Sequence, residues 1–182
     1  MHAIQNRLRA VLSFMACKNT AKWLIPAKPN PPMPKASQPV APLGGTPDEV
    51  EASFYEALQS ADIEKLMACW ADEDDIVCIH PGGPRVVGAG AIRAAFDAIF
   101  GHEGSIHVHP ESIRRVTAMG SAVHCVLERI EVMTGEGPVH AFVLATNVYH
   151  QTPQGWRLVL HHASPGTQDE VQEINQAPQV LH

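Results

Sequence analysis

The stretch that decides the fold is VEASFYEALQSADIEKLMACWADEDDIVCIHPGGPRVVGAGAIRAAFDAIF, residues 50–100. Just before it, TPDE at 46–49 is a capping box with proline at the first helical position, so a helix is predicted from residue 47. Apolar residues then recur at helical spacing. Asp62 caps a second predicted helix over 63–70, and residues 89–100 predict a third. Helical segments therefore open the folded body.

Strands dominate the rest of the chain. Residues 76–80 and 85–87 predict two short strands joined by the turn PGGP at 81–84. Three or four long strands follow at about 105–118, 121–134, 138–151 and 155–163, with turn signals at 135–138 and 153–155. Helices first and a strand meander afterwards predict an α+β fold, with three helices packed on one face of a curved antiparallel sheet.

The two ends of the chain differ in composition from this body, which we place at residues 46–165. Residues 1–45 are basic, and residues 26–47 hold eight of the fifteen prolines, so a disordered leader is predicted. Residues 166–182 predict a polar, loose tail. A short apolar stretch between basic residues in 1–25 leaves open an export or organelle signal.

Charge and hydropathy argue against two classes of partner, and cysteine usage indicates the compartment. Residues 1–47 carry six basic and no acidic residues, whereas the remainder has 13 − 6 = 7 basic against 19 acidic residues. An acidic body argues against nucleic-acid binding. No run approaches the ~18–20 apolar residues that span a bilayer, so no membrane partner is expected. The four cysteines form no CxxC, which favours reduced thiols and a cytoplasmic protein. No nucleotide-binding fingerprint is present, and we expect no cofactor.

The motifs ADIEKLMACWADEDDIV at 61–77 and VVGAGAIRAAF at 86–96 resemble the nuclear transport factor 2-like superfamily, with SnoaL-like and DUF4440-type members as the nearest kin. The resemblance covers about residues 46–165. The last strand, with Trp156 and HAS at 162–164, is also similar to the association domain of calmodulin-dependent kinases. The resemblance implies a cone-shaped, cystatin-like domain with a pocket between the sheet and the helices. It also implies a homodimer formed through the outer sheet face.

The ketosteroid isomerases are a catalytic branch of this superfamily. Their catalytic aspartate precedes a proline at the end of the first strand, the position that His80 holds here before Pro81. Their proton-donating tyrosine falls on Phe54, and Tyr55, one step along, is expected to face elsewhere. The resemblance therefore leaves His80 as the candidate catalytic base without the isomerase acid.

Polar residues interrupt the apolar faces of the predicted long strands. Along 121–134 the even positions include His124 and Glu128, so either these meet a ligand or the odd face is the buried one. His162 alternates with apolar residues and is predicted to point toward the core. The predicted ligand pocket comprises Trp70, His80, His109, His124, Glu128, Asn147, Tyr149 and His162.

His107 and His109 lie two apart on one predicted strand, a spacing that could hold a metal. No third ligand is fixed by the sequence, so we expect scattered histidines and no metal.

The favoured function is a small-molecule-binding module. One alternative is an enzyme of the SnoaL or isomerase–dehydratase kind, in which His80 moves a proton and Glu128 or His162 orients it or supplies the acid. A dimeric scaffold that tethers through the basic leader is the other.

Overall fold

The computed structural model describes residues 45–101, 106–134 and 137–166. The predicted leader and C-terminal tail lie outside the described residues, apart from Gly45 and Gly166 at their inner edges. Within the described ranges no helix is long and apolar enough to cross a membrane.

Three helices form where the sequence predicts them: α1 Pro47–Ser60, α2 Ile63–Ala68 and α3 Ala89–Phe100. The capping box of α1 is confirmed, because the Thr46 hydroxyl accepts from the Glu49 amide while the Glu49 carboxylate accepts from the Thr46 amide. α2 ends two residues earlier than predicted. Ala61, which caps the end of α1, has a φ of 52°, in the left-handed region that non-glycine residues rarely adopt.

Six strands form one sheet: β1 Val77–Ile79, β2 Arg85–Val87, β3 Ile106–Ala118, β4 Ser121–Thr134, β5 Gly137–Thr152 and β6 Gly155–Pro165. Their order is β2-β1-β6-β5-β4-β3. All neighbouring pairs are antiparallel except β1 with β6, which is parallel. The α+β fold class is therefore confirmed, and the sheet is curved and unclosed.

The core lies between the helices and the inner face of the sheet. The even positions of β4 face it, from Ala122 to Ile130, which settles the alternative left open by the sequence. The odd positions of β5 from Ala141 to Tyr149 face it as well. Phe54 of α1 is fully buried and packs edge-on against Phe96 of α3.

A β-bulge in β6 reverses the side-chain alternation near its end. Val148 pairs with Leu160 and Tyr149 pairs with Leu158, so Val159 is the extra residue. Leu158 faces the core before the bulge, and His161 faces it afterwards. The prediction that His162 points toward the core is wrong, because one inserted residue moves every later side chain to the opposite face.

Candidate functional site

A cavity of about 170 Å³ lies between the C-terminal half of α1, the helix α3 and the sheet. Its walls are mostly apolar and include aromatic rings from both helices. Three titratable side chains also line it: His80 at the end of β1, Glu128 on β4 and His161 on β6. A concave apolar site with a few convergent polar groups is the usual form of a small-molecule site.

His80 is held at the cavity wall by the turn that follows β1. Its carbonyl accepts from the Gly83 amide at 2.9 Å. Gly82 in this turn has a φ of 70°, a left-handed conformation that glycine adopts without strain because it has no Cβ. The imidazole stands edge-on to Phe96, and its Nε2 lies 3.6 Å from Cys78 Sγ. Burial lowers the pKa of His80 to about 4, so the ring is neutral near pH 7.

A chain of buried hydrogen bonds joins His161 to Glu128. Nδ1 of His161 lies 2.7 Å from Oδ1 of Asn147. Asn147 Nδ2 donates to the Tyr55 hydroxyl at 3.4 Å, and that hydroxyl donates to Glu128 Oε1 at 2.7 Å. Since an amide oxygen can only accept, His161 must carry its proton on Nδ1 when neutral. Its Nε2 is then a hydrogen-bond acceptor.

Burial shifts the pKa of the carboxyl group and the pKa values of the imidazoles in opposite directions. It raises the pKa of Glu128 to about 7, against the opposing hydrogen bond from Tyr55 and with the help of the Glu51 charge. It also lowers the pKa of His161 to about 3, with smaller contributions from His80 and His162. Burial, with the Glu128 charge, raises the pKa of Tyr55 far above its usual value. The cavity wall therefore holds two neutral imidazoles and a carboxyl group that titrates near neutrality.

Two of the predicted pocket residues, His80 and Glu128, line the cavity. Asn147 is buried behind it and bonds to His161. The sequence did not identify His161, because only the bulge turns it inward. Tyr55 does not line the cavity, in agreement with the expectation that it faces elsewhere, but its hydroxyl donates to Glu128, which does line it.

The other predicted pocket residues do not line the cavity. Trp70 and Tyr149 are buried in the core. His162 faces solvent. His109 is half-buried beside His107, with ring centroids 6.5 Å apart, while Val108 between them lines the cavity. These positions correct the predicted set.

His124 belongs to a second polar cluster near the start of α1. Its Nδ1 lies 2.9 Å from Oε2 of Glu51, and both side chains are buried. With Asp48 they bring three possible ligand atoms within 4.8 Å of one another. The Arg115 guanidinium lies against both carboxylates, so a positive charge already compensates them. This cluster is apart from the cavity, and we assign it a stabilising contact between α1 and the sheet.

The architecture is that of the cystatin-like, nuclear transport factor 2-like proteins. The family model described as SnoaL-like domain matches residues 48–168, and the chain belongs to this family. A comparison with curated protein sequences finds no match.

Solved structures of similar proteins carry different functional names. A protein from Thiobacillus denitrificans assigned as a calcium/calmodulin-dependent protein kinase type II association domain is 33% identical, with a TM-score of 0.64, covering 70% of this chain and all of its own. An NTF2-like family protein from Streptomyces avermitilis assigned as a dehydratase is 28% identical, with a TM-score of 0.59, covering 64% and 91%. A CaMKII hub from S. rosetta, 18% identical with a TM-score of 0.58 and covering 70% and 99%, shares the fold.

Proposed function

We propose that the domain binds a small organic molecule in the cavity between the helices and the sheet. The observation that carries this proposal is the combination of an apolar wall with three convergent polar groups, His80, Glu128 and His161. The volume is about 170 Å³. An apolar cavity of about 150 Å³ accommodates benzene, so the cavity fits a molecule of about one ring.

Filling the cavity tests the proposal. Ala163 is buried on β6 and lines the cavity, so Ala163→Phe should occupy the space of the ligand. A panel of single-ring compounds should raise the melting temperature of the wild-type protein by mass action, and should not raise that of the folded variant. The control is His162→Phe, which places a phenylalanine one residue earlier on the solvent side of β6, and this variant should retain binding. Equal shifts in Ala163→Phe and wild type would refute the cavity as the site.

The polar groups provide a second test of the same assignment. His80→Ala and Glu128→Ala should each weaken binding of any compound that the wild type binds through these side chains. Titration calorimetry measures the affinity directly. Hits that bind both variants as tightly as wild type would show that the polar groups take no part in recognition.

An enzyme that moves a proton is the second candidate function. The favouring observation is that one cavity exposes groups with well-separated pKa values, about 4 for His80 and about 7 for Glu128. The similarity to a protein assigned as a dehydratase points the same way. His80 would accept the proton, as the resemblance to the isomerases implies, and the Glu128 carboxyl would supply the acid.

Proton transfer can be assayed without a known substrate. Incorporation of deuterium from D₂O into small ketones, followed by NMR, reports on carbon-bound proton exchange. A positioned base contributes about 10²–10⁴-fold to the rate, so His80→Gln should reduce the rate of any such exchange by about 10²-fold or more. Activity within about tenfold of wild type would exclude His80 as the base.

We also propose a homodimer formed through the outer face of the sheet. Val116 on β3 is exposed, and Phe142 and Leu144 on β5 are only half-buried on that face. Apolar surface of this kind favours a partner. Light scattering should give twice the chain mass, and Leu144→Asp should dissociate the dimer. A monomer at micromolar concentration would contradict the proposal.

We propose a cytoplasmic protein, supported by the free thiols of Cys69, Cys78 and Cys125 in the described part of the chain. N-terminal sequencing of the protein from its host tests this. A chain cleaved within residues 1–25 would instead indicate export or targeting to an organelle.

A further inference from the structure

We propose that the cavity selects an uncharged hydroxy compound of single-ring size, of the phenol class, whose hydroxyl group donates a hydrogen bond to Nε2 of His161. This inference rests on the proposed binding function and names its ligand class. Three properties of the site carry it: the shape of the apolar wall, the orientation of the His161 imidazole and the charge of the lining.

The wall suits a flat apolar body. The rings of Phe54 and Phe96 come from two different helices, and Val108 and Ile130 close the sheet side. The volume of about 170 Å³ leaves room for about one ring with a small substituent. A larger polycyclic molecule would extend beyond this volume.

The orientation of His161 supplies an acceptor inside the cavity. Nδ1 is committed to the Asn147 amide oxygen, and the Asn147 amide nitrogen is committed to Tyr55. The three hydrogen bonds therefore run in one direction, from His161 through Asn147 and Tyr55 to Glu128. His161 is 5% exposed and lines the cavity, so the Nε2 lone pair is the acceptor left for a ligand. The equivalent nitrogen of His80 is already in contact with the Cys78 thiol.

The lining disfavours a charged ligand. Among the described residues that line the cavity none is lysine or arginine, so an anion would find no opposite charge. A buried anion without a partner is strongly disfavoured. Burial holds both imidazoles in the neutral form, and Glu128 is protonated below a pKa of about 7. The site therefore presents one available acceptor, His161 Nε2, and a neutral acid, which match a neutral hydroxyl group.

The test compares four probes of nearly equal size: phenol, toluene, benzoate and benzylamine. Dissociation constants are measured by ligand-observed NMR on the full chain at about pH 6, roughly one unit below the pKa of Glu128. We expect phenol to bind about tenfold more tightly than toluene, the difference that one hydrogen bond to a buried acceptor supplies. Benzoate should bind most weakly, because no lysine or arginine among the described lining residues pairs with its carboxylate.

Matched variants locate the hydrogen bond. His161→Phe should abolish the preference for phenol over toluene, whereas His162→Phe should keep it. If His161→Phe does not fold, His161→Leu replaces it because leucine also lacks an acceptor, and the ratio of phenol to toluene affinity in the wild type remains decisive. Nitrogen-15 spectra of the imidazoles give a second measurement, since His161 should carry its proton on Nδ1 and phenol should shift the Nε2 resonance.

The outcomes separate this inference from the proposed function. Equal affinities for phenol and toluene, or tightest binding of benzoate or benzylamine, would overturn the ligand class while leaving a functional cavity. A phenol preference that survives in His161→Phe would overturn the role of His161. Failure of all four probes to bind would count against the cavity as a single-ring site, and the inference would fail with it.

Discussion

Replacing Glu128 by glutamine should make the protein more stable at alkaline pH and leave it nearly unchanged in acid. Glutamine has the same shape and keeps an oxygen that can accept from Tyr55. It removes only the ability to ionise inside the core. The side chain is 5% exposed, so solvent screens the charge poorly.

The expected magnitude follows from the pKa. Burial raises the Glu128 pKa from 4.5 to about 7 in the folded state. Between these values the folded protein holds a proton that the unfolded chain has lost, so the free energy of unfolding decreases as pH rises. A difference of one pKa unit corresponds to about 1.4 kcal/mol, which gives about 3 kcal/mol above the folded pKa. For a domain of this size that is a melting-temperature difference of about 10 °C.

The assay is thermal unfolding of wild type and Glu128→Gln between about pH 4 and pH 8.5. The difference in the free energy of unfolding between the two proteins should be small near pH 4 and should increase to about 3 kcal/mol by pH 8.5. The exposed carboxylate of Glu73 provides the control Glu73→Gln, which tests removal of a surface charge. A gap between wild type and Glu128→Gln that is the same at every pH would refute the raised pKa.

The two buried histidines affect both proteins equally and cancel from that difference. Their pKa values are lowered to about 4 for His80 and about 3 for His161. The unfolded chain therefore binds more protons than the folded protein once pH falls below about 6.5, and stability is lost as pH falls further. The wild type alone should consequently be most stable near pH 6–7, with losses on both sides.

Ala61→Gly should raise the free energy of unfolding by about 0.5–1 kcal/mol in denaturant titrations, because glycine relieves the left-handed backbone at the end of α1; a loss of stability would contradict this. His124→Phe should lower the free energy of unfolding in denaturant titrations by about 1–3 kcal/mol, because buried Glu51 loses its hydrogen bond to His124 and keeps only the Arg115 contact at 3.6 Å. Ligand affinity should be unchanged because this pair does not line the cavity, and lost affinity would contradict that separation. A chain that begins at Thr46 should keep the melting temperature and the dimer mass of the full chain, and a lower melting temperature would show that residues 1–45 contribute to the fold.

Local signals were sufficient to predict most of the fold. The capping box before α1, the PGGP turn after β1 and the alternation along β4 and β5 each act over a few residues. The predicted elements therefore agree with the observed ones to within two residues at most ends. The parallel pairing of β1 with β6 joins residues 83 positions apart in the chain, for example Val77 with Leu160, and no local pattern specified it.

The candidate site depended more strongly on the tertiary structure. Sequence alone placed His80 before its turn and named Glu128 as a pocket candidate while leaving open which face of its strand is buried, and both residues line the cavity. It selected His162 in place of His161, because the bulge at Val159 is set by pairing with β5 and leaves no signal in the alternation. Only the packing of α1 against the sheet brings Tyr55 to Glu128, which is 73 residues away in the chain. Short-range propensities determined the elements, whereas long-range packing decided which polar groups share one buried space.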